Sequence, residues 1–311
     1  MKKKKIVSSI CPKGELNFGQ MLGQVSKLTA LQADHQCFFA ISNYEAMVAV
    51  SKPEKLYNDT WATILGLISC GIDPGNIFLE SAIPEPAVLS WIFSCLPSRN
   101  SLPATVHPGL RDASLLMYHA DMVAASTCWK TRIETVRCLA QGFNDQYNVP
   151  YFIVPEYIPT EIPSNTYSVD PAVKTCLWNQ ISVFDEEEEI RQKIRITVAS
   201  ENIEIDPAPR VARILNTIQI AGQESVCRSL QKDFERGVLN FVHIENVLAD
   251  TFIEMTREFR RNRKCYDLNR DAVEKRIRNS SAEIQQFAKR TLREVQEIVG
   301  LSEPATRYWR T

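Results

Sequence analysis

The sequence lacks any hydrophobic run long enough to span a membrane, which would need about 20 consecutive apolar residues. Its start, Met1 to Lys5, is basic, but the apolar stretch of a signal peptide does not follow it. We therefore expect a cytoplasmic protein that does not enter a membrane.

Paired cysteines and metal-binding spacings are also missing. The nine cysteines are scattered, their number is odd, and no CxxC pair occurs. The four histidines show no spacing typical of metal ligands. This pattern favours a reduced protein without a metal site over a disulfide-linked one.

No charge of either sign dominates, since 36 basic residues stand against 37 acidic ones. Nucleic-acid binding would therefore need a local basic patch. The densest patch falls on a predicted helix and consists of Arg257, Arg260, Arg261, Arg263 and Lys264. Such a helix is usually a solvated face whose cations pair with nearby acids.

Buried-strand patterns alternate with helical spacings through the first half of the chain. The strands are predicted at 6–10, 36–41, 76–79, 121–125 and 151–154. This alternation predicts a parallel α/β sheet with ligands beyond the carboxyl ends of its strands. Four prolines mark 155–171 as a crossing segment, and everything from residue 209 onward has helical spacing.

The first strand leads into a turn with proline and two glycines, Gly14 and Gly19, and then into a helix from Gln20. Backbone N–H groups at such a helix start attract phosphate or carboxylate. The alternative is a tight turn that only packs.

The amino-acid sequence of that turn, from Pro12 to Gly23, resembles the ATP-binding signature of class I aminoacyl-tRNA synthetases in its tryptophanyl form. The glycines Gly14, Gly19 and Gly23 match it. Asn17 stands where the family has His or Thr, and Gln20 where it has Asn. Further similar stretches are 70–74, 81–85, 140–144 and 184–190.

The resemblance implies a class I synthetase nucleotide-binding (Rossmann-like) parallel sheet core at 1–182. A mostly α-helical, anticodon-binding-like C-terminal domain would follow at 183–311. It also implies a homodimer, ATP and Mg²⁺ if the protein is active, and a tRNA partner for the basic helix.

The family's catalytic loop reads K-M-S-K-S, and its five positions fall on 172–176 here. Only Lys174 could take a lysine role. At residues 126–129 the sequence Ser-Thr-Cys-Trp replaces the family's Gly-Glu-Asp-Gln, and Trp129 either fills part of the ATP space or joins the core. The resemblance thus gives these nucleotide-binding candidates: Ser9, Cys11, Gly14, Asn17, Gly19, Gln20, Ser126, Cys128 and Lys174.

The amino-acid pocket also departs from the family. Ser114 takes the place of the Asp that accepts the indole N–H, Arg111 that of a Met, and His107 that of a Tyr. Arg111 either pairs with Asp112 on a solvated face or points inward, where it would favour an acidic or phosphorylated ligand. Where the family has Asp-x-His, this chain has Asn43 and Glu45, so the pocket candidates are Val7, Asn43, Glu45, His107, Arg111 and Ser114.

These departures favour a binding or regulatory relative with degraded ATP and tryptophan sites, whose ligand is small and amino-acid-like or anionic. Two enzymatic alternatives stay open. One is a divergent tryptophan–tRNA ligase, and the other is an adenylate-forming enzyme that acts on a different amino acid.

Overall fold

A five-stranded, all-parallel sheet is the central feature of the computed structural model, in the order β3-β2-β1-β4-β5. The model describes residues 3–96, 109–126, 129–160, 180–200, 211, 214–215, 218–219, 223–238 and 240–302. The strands are β1 (Lys5–Ile10), β2 (Gln36–Ile41), β3 (Ile77–Leu79), β4 (Met122–Ala125) and β5 (Glu156–Pro159). The predicted parallel α/β sheet is confirmed.

The fifth strand was predicted wrongly. Residues 151–154 form no strand, and β5 lies instead in the segment predicted to be a crossing. The Asn144 side chain binds the backbone N–H groups of Tyr151 and Phe152 and the carbonyl of Phe152, so this backbone does not enter the sheet. Pro159 fits in β5 because β5 is an edge strand.

Helices surround the sheet and account for most of the rest of the described chain. The first helical stretch begins as α1 (Phe18–Gln20), passes through a π-helical turn (Met21–Val25) and continues as α2 (Ser26–Asp34). The others are α3 (Asn43–Ala46), α4 (Pro53–Ser69), α5 (Glu85–Ser94), α6 (Leu110–Met117), α7 (Lys130–Tyr147), α8 (Glu187–Ser200), α9 (Glu224–Glu235), α10 (Phe241–Leu268) and α11 (Arg270–Ile298).

The two faces of the sheet bury two separate hydrophobic clusters. Ile6 and Ile10 of β1 face a cluster that includes residues of α2, α4, α8 and α10. Val7 of the same strand faces a cluster with α5, α6 and α7. Alternate residues of β1 therefore serve opposite layers, as the pleat of a strand requires.

The long helix α11 covers the β3 edge of the sheet. Ser280 donates to the carbonyl of Ile77, and Ser281 accepts from the backbone N–H of Leu79 at 3.1 Å. Val273 and Ile277 of α11 join one cluster, while Ala288 joins the other. The helices after residue 183 thus pack directly on the sheet, and the predicted domain boundary at 182 stays a prediction.

Among the helices of the described ranges, none is both long and apolar enough to cross a membrane. The described cysteines, Cys11, Cys37, Cys70, Cys95, Cys138, Cys227 and Cys265, are free thiols. In the same part of the chain no group of three or more His, Cys, Asp or Glu residues is arranged to hold a metal ion.

Candidate functional site

Polar residues gather where the carboxyl ends of the central strands meet. Ser42 directly follows β2, Glu80 follows β3 and Ser126 follows β4. The chain order reverses between β1 and β4, and ligands of open parallel sheets bind at such a switch point. The candidate site is therefore this edge of the sheet.

The turn after β1 has the predicted strand–turn–helix form. Gly14 adopts φ +92°, a conformation that side chains with a Cβ rarely take, and its carbonyl accepts from Thr63 Oγ1 at 2.7 Å. The helix begins at Phe18, two residues before the predicted start at Gln20.

The helix start is closed by its own side chains. Asn17 Oδ1 accepts from the Gln20 backbone N–H at 2.9 Å, and Gln20 Oε1 accepts from the Asn17 N–H at 3.1 Å. This is a reciprocal capping box. Asn17, at the position where the resembling family has His or Thr, therefore binds Gln20, at the position where that family has Asn.

The segment at residues 181–183 lies against this turn. The backbone N–H of Phe18 donates to the carbonyl of Ile181 at 3.1 Å, and Val183 N–H donates to the carbonyl of Leu16 at 3.0 Å. Ser182 Oγ donates to Glu15 Oε2 at 3.1 Å. Together with the capping box, these hydrogen bonds engage the backbone N–H groups of Phe18 and Gln20. The same N–H groups would otherwise be available to bind a phosphate.

Arg111 lies in the cleft between α3 and α6 and points away from Asp112. Its guanidinium forms an ion pair with Glu45, lies 4.0 Å from the centre of the Trp129 ring, and donates to Ser42 Oγ at 3.5 Å. The Arg111 side chain is only 13% exposed, whereas that of Glu45 is 43% exposed. This arrangement brings a cation, an anion and an aromatic ring together at the edge of the sheet.

The predicted alternative in which Arg111 pairs with Asp112 is wrong. Successive helix residues point in different directions, so neighbours in sequence do not face each other. Asp112 is fully buried and instead accepts two bonds from Arg132, at 2.7 Å from Nε and 3.1 Å from Nη2. Its Oδ2 also accepts from the backbone N–H of Gly109 at 2.9 Å, which caps α6.

Ser114 lies on the same face of α6 as Arg111, one turn later. Its hydroxyl is within hydrogen-bond distance of Glu80 Oε1, at 3.2 Å, and of the Leu110 carbonyl, at 2.9 Å. Both Ser114 and Glu80 are buried. Burial raises the pKa of the Glu80 carboxyl, and the bond from Ser114 offsets part of that rise.

Burial also raises the pKa of the Tyr118 phenol, and the nearby Glu80 and Glu85 carboxyls raise it further. Tyr118, which directly follows α6, is thus close to two buried carboxyls from other parts of the chain, Glu80 and Glu85.

The other pocket candidates have structural partners. Asn43 donates to Ser81 Oγ at 2.8 Å and accepts from the Ser81 N–H at 3.1 Å, which ties α3 to the chain after β3. Val7 is buried in the core on the α6 side of the sheet. Trp129 is partly buried and packs on that same core while it stacks on Arg111, so its predicted place in the core is partly realised.

Several nucleotide candidates contribute little polar surface. The hydroxyl of Ser9 is buried and has no hydrogen-bond partner among the described residues. Gly19 is buried inside the helix start, and Cys11 is half-buried. Ser126 accepts from the Trp129 N–H at 3.0 Å through its carbonyl. The candidates His107, Cys128 and Lys174 lie outside the described residues.

The basic helix is α10, and its five candidate cations all lie beside carboxylates. Arg257 pairs with Glu254, Arg260 with Glu187, Arg261 with Glu258, Arg263 with Asp267 and Glu15, and Lys264 with Glu186, at distances from 2.8 to 4.0 Å. A cavity of about 180 Å³ lies among several of these pairs. The alternative of a solvated helix face fits Arg257, Arg261 and Lys264, whose side chains are 64–79% exposed. It does not fit Arg260 and Arg263, whose side chains are only 8% and 14% exposed.

Three residues of the site were missed from the sequence, namely Ser42, Glu80 and Arg132. Ser42 and Glu80 directly follow predicted strands, and that position was the available signal. Arg132 had no such signal in the sequence, because its partner Asp112 belongs to another helix.

The chain is similar to known proteins along nearly its whole length. The family model for class I tRNA synthetases (W and Y) matches residues 1–106. The tryptophan–tRNA ligase of Fusobacterium nucleatum is 24% identical over 321 residues, which cover 96% of this chain and 98% of that protein. The Bacillus anthracis ligase is 26% identical over 328 residues, again with coverage of 96% and 98%.

A solved structure shows the same fold. Tryptophanyl-tRNA synthetase from Campylobacter jejuni, complexed with ADP and tryptophan, matches with a TM-score of 0.75 at 20% identity. The match covers 95% of this chain and 99% of that one. The glycine turn, the strand order and this near full-length similarity thus make the chain similar to the tryptophan–tRNA ligases, and its residues 1–106 match the class I tRNA synthetases (W and Y).

Proposed function

We propose that this chain is a binding or regulatory member of the family that has lost tryptophan–tRNA ligation. It keeps the scaffold and binds a small amino-acid-like or anionic ligand. The observation that carries the proposal is the Arg111 guanidinium, which is held by Glu45 and stacked on Trp129. A mostly buried charge there disfavours an apolar indole, because the charge needs an anion or polar group beside it.

The neighbouring Ser114 supports the same proposal. The resemblance places an Asp here, whose carboxylate accepts the indole N–H. Ser114 is neutral and buried, and its hydroxyl already lies against Glu80 and the Leu110 carbonyl. The site therefore has a weaker acceptor for tryptophan at this position.

The nucleotide side of the cleft gives further support. Activation of an amino acid by ATP needs preorganised donors that meet the charge of the transition state. Asn17 and Gln20 are engaged in the capping box, and residues 172–176 contain one lysine in place of the family's pair.

A divergent tryptophan–tRNA ligase is the second candidate, and two observations favour it. The curated relatives that cover nearly the whole chain are tryptophan–tRNA ligases. Glu80 places a carboxylate beside Ser114, where it could replace the missing Asp as the acceptor. Such an enzyme would use ATP and Mg²⁺ and would bind tRNA. An adenylate-forming enzyme for a different amino acid would use the same ATP chemistry.

The deciding experiment is amino-acid-dependent ATP–pyrophosphate exchange with each of the twenty amino acids, with the Bacillus anthracis ligase as a positive control. We expect no tryptophan-dependent exchange above background, since the loss of each preorganised donor costs roughly 10² to 10³ in rate. Robust exchange with tryptophan would establish the divergent ligase. Exchange with another amino acid would establish the second enzymatic alternative.

A further inference from the structure

One carboxylate of this chain, that of Glu45, occupies a place that a ligand could take. We infer that Arg111 and Trp129 form a binding site for the side-chain carboxylate of an acidic amino acid, and that Glu45 is a built-in competitor for this site. The inference rests on the proposed function in one respect only, namely that the cleft binds a small molecule. It requires neither ATP nor ligation.

The cationic half of the site is fixed. Arg111 extends from α6, a helix in which residues 112–117 are all buried. Its guanidinium carbon lies 4.0 Å from the centre of the Trp129 ring, and the partly buried ring packs on the core. Ser42, whose hydroxyl contacts the guanidinium, is fully buried at the end of β2. These contacts hold the Arg111 guanidinium in place, and its side chain is only 13% exposed.

The anionic half is much less confined. Glu45 lies on α3, a helix of four residues without a side-chain cap at its start. The chain after it exposes Met47 and Val48. Rotation of the Glu45 side chain into solvent would break its ion pair with Arg111 and open the guanidinium to another carboxylate. Because the carboxylate is already half-exposed, the pair is weakly held and another carboxylate can compete with it.

The chemistry of the fixed half selects a carboxylate. A guanidinium offers a planar fork of N–H donors that matches a carboxylate, and the aromatic face beside it favours a flat arrangement. The side chain of free L-glutamate ends in the same group as Glu45. A neutral amide of the same shape, as in L-glutamine, brings no charge to the guanidinium.

The internal competitor sets the apparent affinity. When only a fraction of the molecules has the site open, the apparent dissociation constant rises by the inverse of that fraction. Removal of the Glu45 carboxylate should therefore tighten binding of an external carboxylate. The gain is about tenfold if Glu45 occupies the site nine-tenths of the time.

The test is isothermal titration calorimetry of the full chain without ATP, with L-glutamate and L-glutamine as probes. We expect Glu45→Ala to bind L-glutamate about tenfold more tightly than the unmodified protein and to leave L-glutamine unbound. The matched control is Glu254→Ala, which removes a carboxylate from the exposed Glu254–Arg257 pair and should not change glutamate binding. The double variant Glu45→Ala, Arg111→Met should lose glutamate binding, and it leaves neither charge of the pair behind.

The inference is overturned if Glu45→Ala binds glutamate no more tightly, if the double variant binds it equally well, or if glutamine binds as well as glutamate. Should Glu45→Ala fold poorly, Glu45→Gln keeps the size of the side chain and removes only its charge. A glutamate-specific rise in its melting temperature then gives the same answer. Tryptophan-dependent exchange would contradict the proposed function alone, because this binding is measured without ATP.

Discussion

Asp112 and Arg132 form a two-bond ion pair between α6 and α7, in which the Asp112 side chain is fully buried and the Arg132 side chain is 41% exposed. The two partners should therefore respond differently to removal. We expect Arg132→Met to lower the free energy of unfolding by about 3–5 kcal/mol, because it leaves a buried carboxylate without its cation. Urea unfolding at neutral pH measures this.

The double variant Asp112→Ala, Arg132→Met is the control for that pair. This variant removes both charges. The free energy of unfolding should therefore fall by clearly less than the sum of the decreases caused by Asp112→Ala and Arg132→Met separately. Additive losses would show that the two residues do not depend on each other.

The buried carboxyl of Glu80 gives a pH-dependent prediction. Burial raises its pKa above the ordinary value of 4.5, so the fold favours the protonated form. Its contribution to stability is full below the unfolded pKa and is lost as pH rises through the folded one. We expect Glu80→Gln to gain stability relative to the unmodified protein as the pH rises above the ordinary carboxyl pKa of 4.5.

Urea unfolding at a series of pH values measures this difference. Glu54→Gln, at an exposed position on α4, is the matched control and should show a flat difference over the same range. A flat difference for Glu80→Gln would contradict the raised pKa.

The sequence was sufficient for the parts of the fold that depend on local pattern. The β-branched run of β1, the proline and glycines of the turn and the helical spacing after it are neighbours in the chain, and their prediction is confirmed. The prediction of the last strand was wrong because the 151–154 segment is apolar for another reason. Phe152 is buried in an aromatic cluster with Phe93 and Phe143, and Asn144 takes up its backbone hydrogen bonds.

The cleft shows what local pattern cannot predict. Both Glu45 and Arg111 were candidates for the pocket, but nothing in the spacing of residues indicated that they pair, because they belong to different helices that meet only in the fold. The same limit explains the wrong partner for Asp112. Adjacent positions suggested Arg111, whereas the geometry of a helix turns that side chain elsewhere.

The capping box predicts weak nucleotide binding. The N–H groups of Phe18 and Gln20 already donate to Ile181 and Asn17, so they are not available to a phosphate. We expect calorimetry with ATP and Mg²⁺ to give a dissociation constant no tighter than about millimolar, worth about 4 kcal/mol. Micromolar binding would show that the turn opens for the nucleotide and would favour the ligase.

The homodimer implied by the resemblance can be tested on α5. Val88 and Trp91 lie one turn apart on the same face of this helix, and Trp91 is 72% exposed. Exposed aromatic residues of this kind often mark interfaces. We expect the unmodified chain to be a dimer in light scattering and Trp91→Asp to be a monomer with unchanged helix content.

Val242→Asp is the control for that substitution, since it places the same charge at an exposed apolar position on α10. It should leave the mass unchanged. If Trp91→Asp also leaves the mass unchanged, α5 is not the interface.

The ion pairs of α10 predict weak and nonspecific tRNA binding. A phosphate contact at Arg257 or Arg261 must replace the carboxylate of Glu254 or Glu258, so little net charge is gained. We expect a dissociation constant of roughly 10⁻⁴ to 10⁻⁶ M at physiological salt, the usual range of nonspecific binding. Fluorescence anisotropy with labelled tRNA over a salt series measures both the affinity and its salt dependence.

Removal of the paired acids tests the same explanation in the opposite direction. Glu254→Gln with Glu258→Gln leaves both arginines without these carboxylates, so binding should tighten and its salt dependence should steepen. Glu224→Gln, which removes the partner of Arg228 on α9, is the matched control outside the patch. Nanomolar binding by the unmodified chain that is lost in Arg257→Ala, Arg261→Ala would contradict the prediction, because the cations would then serve tRNA despite their pairing.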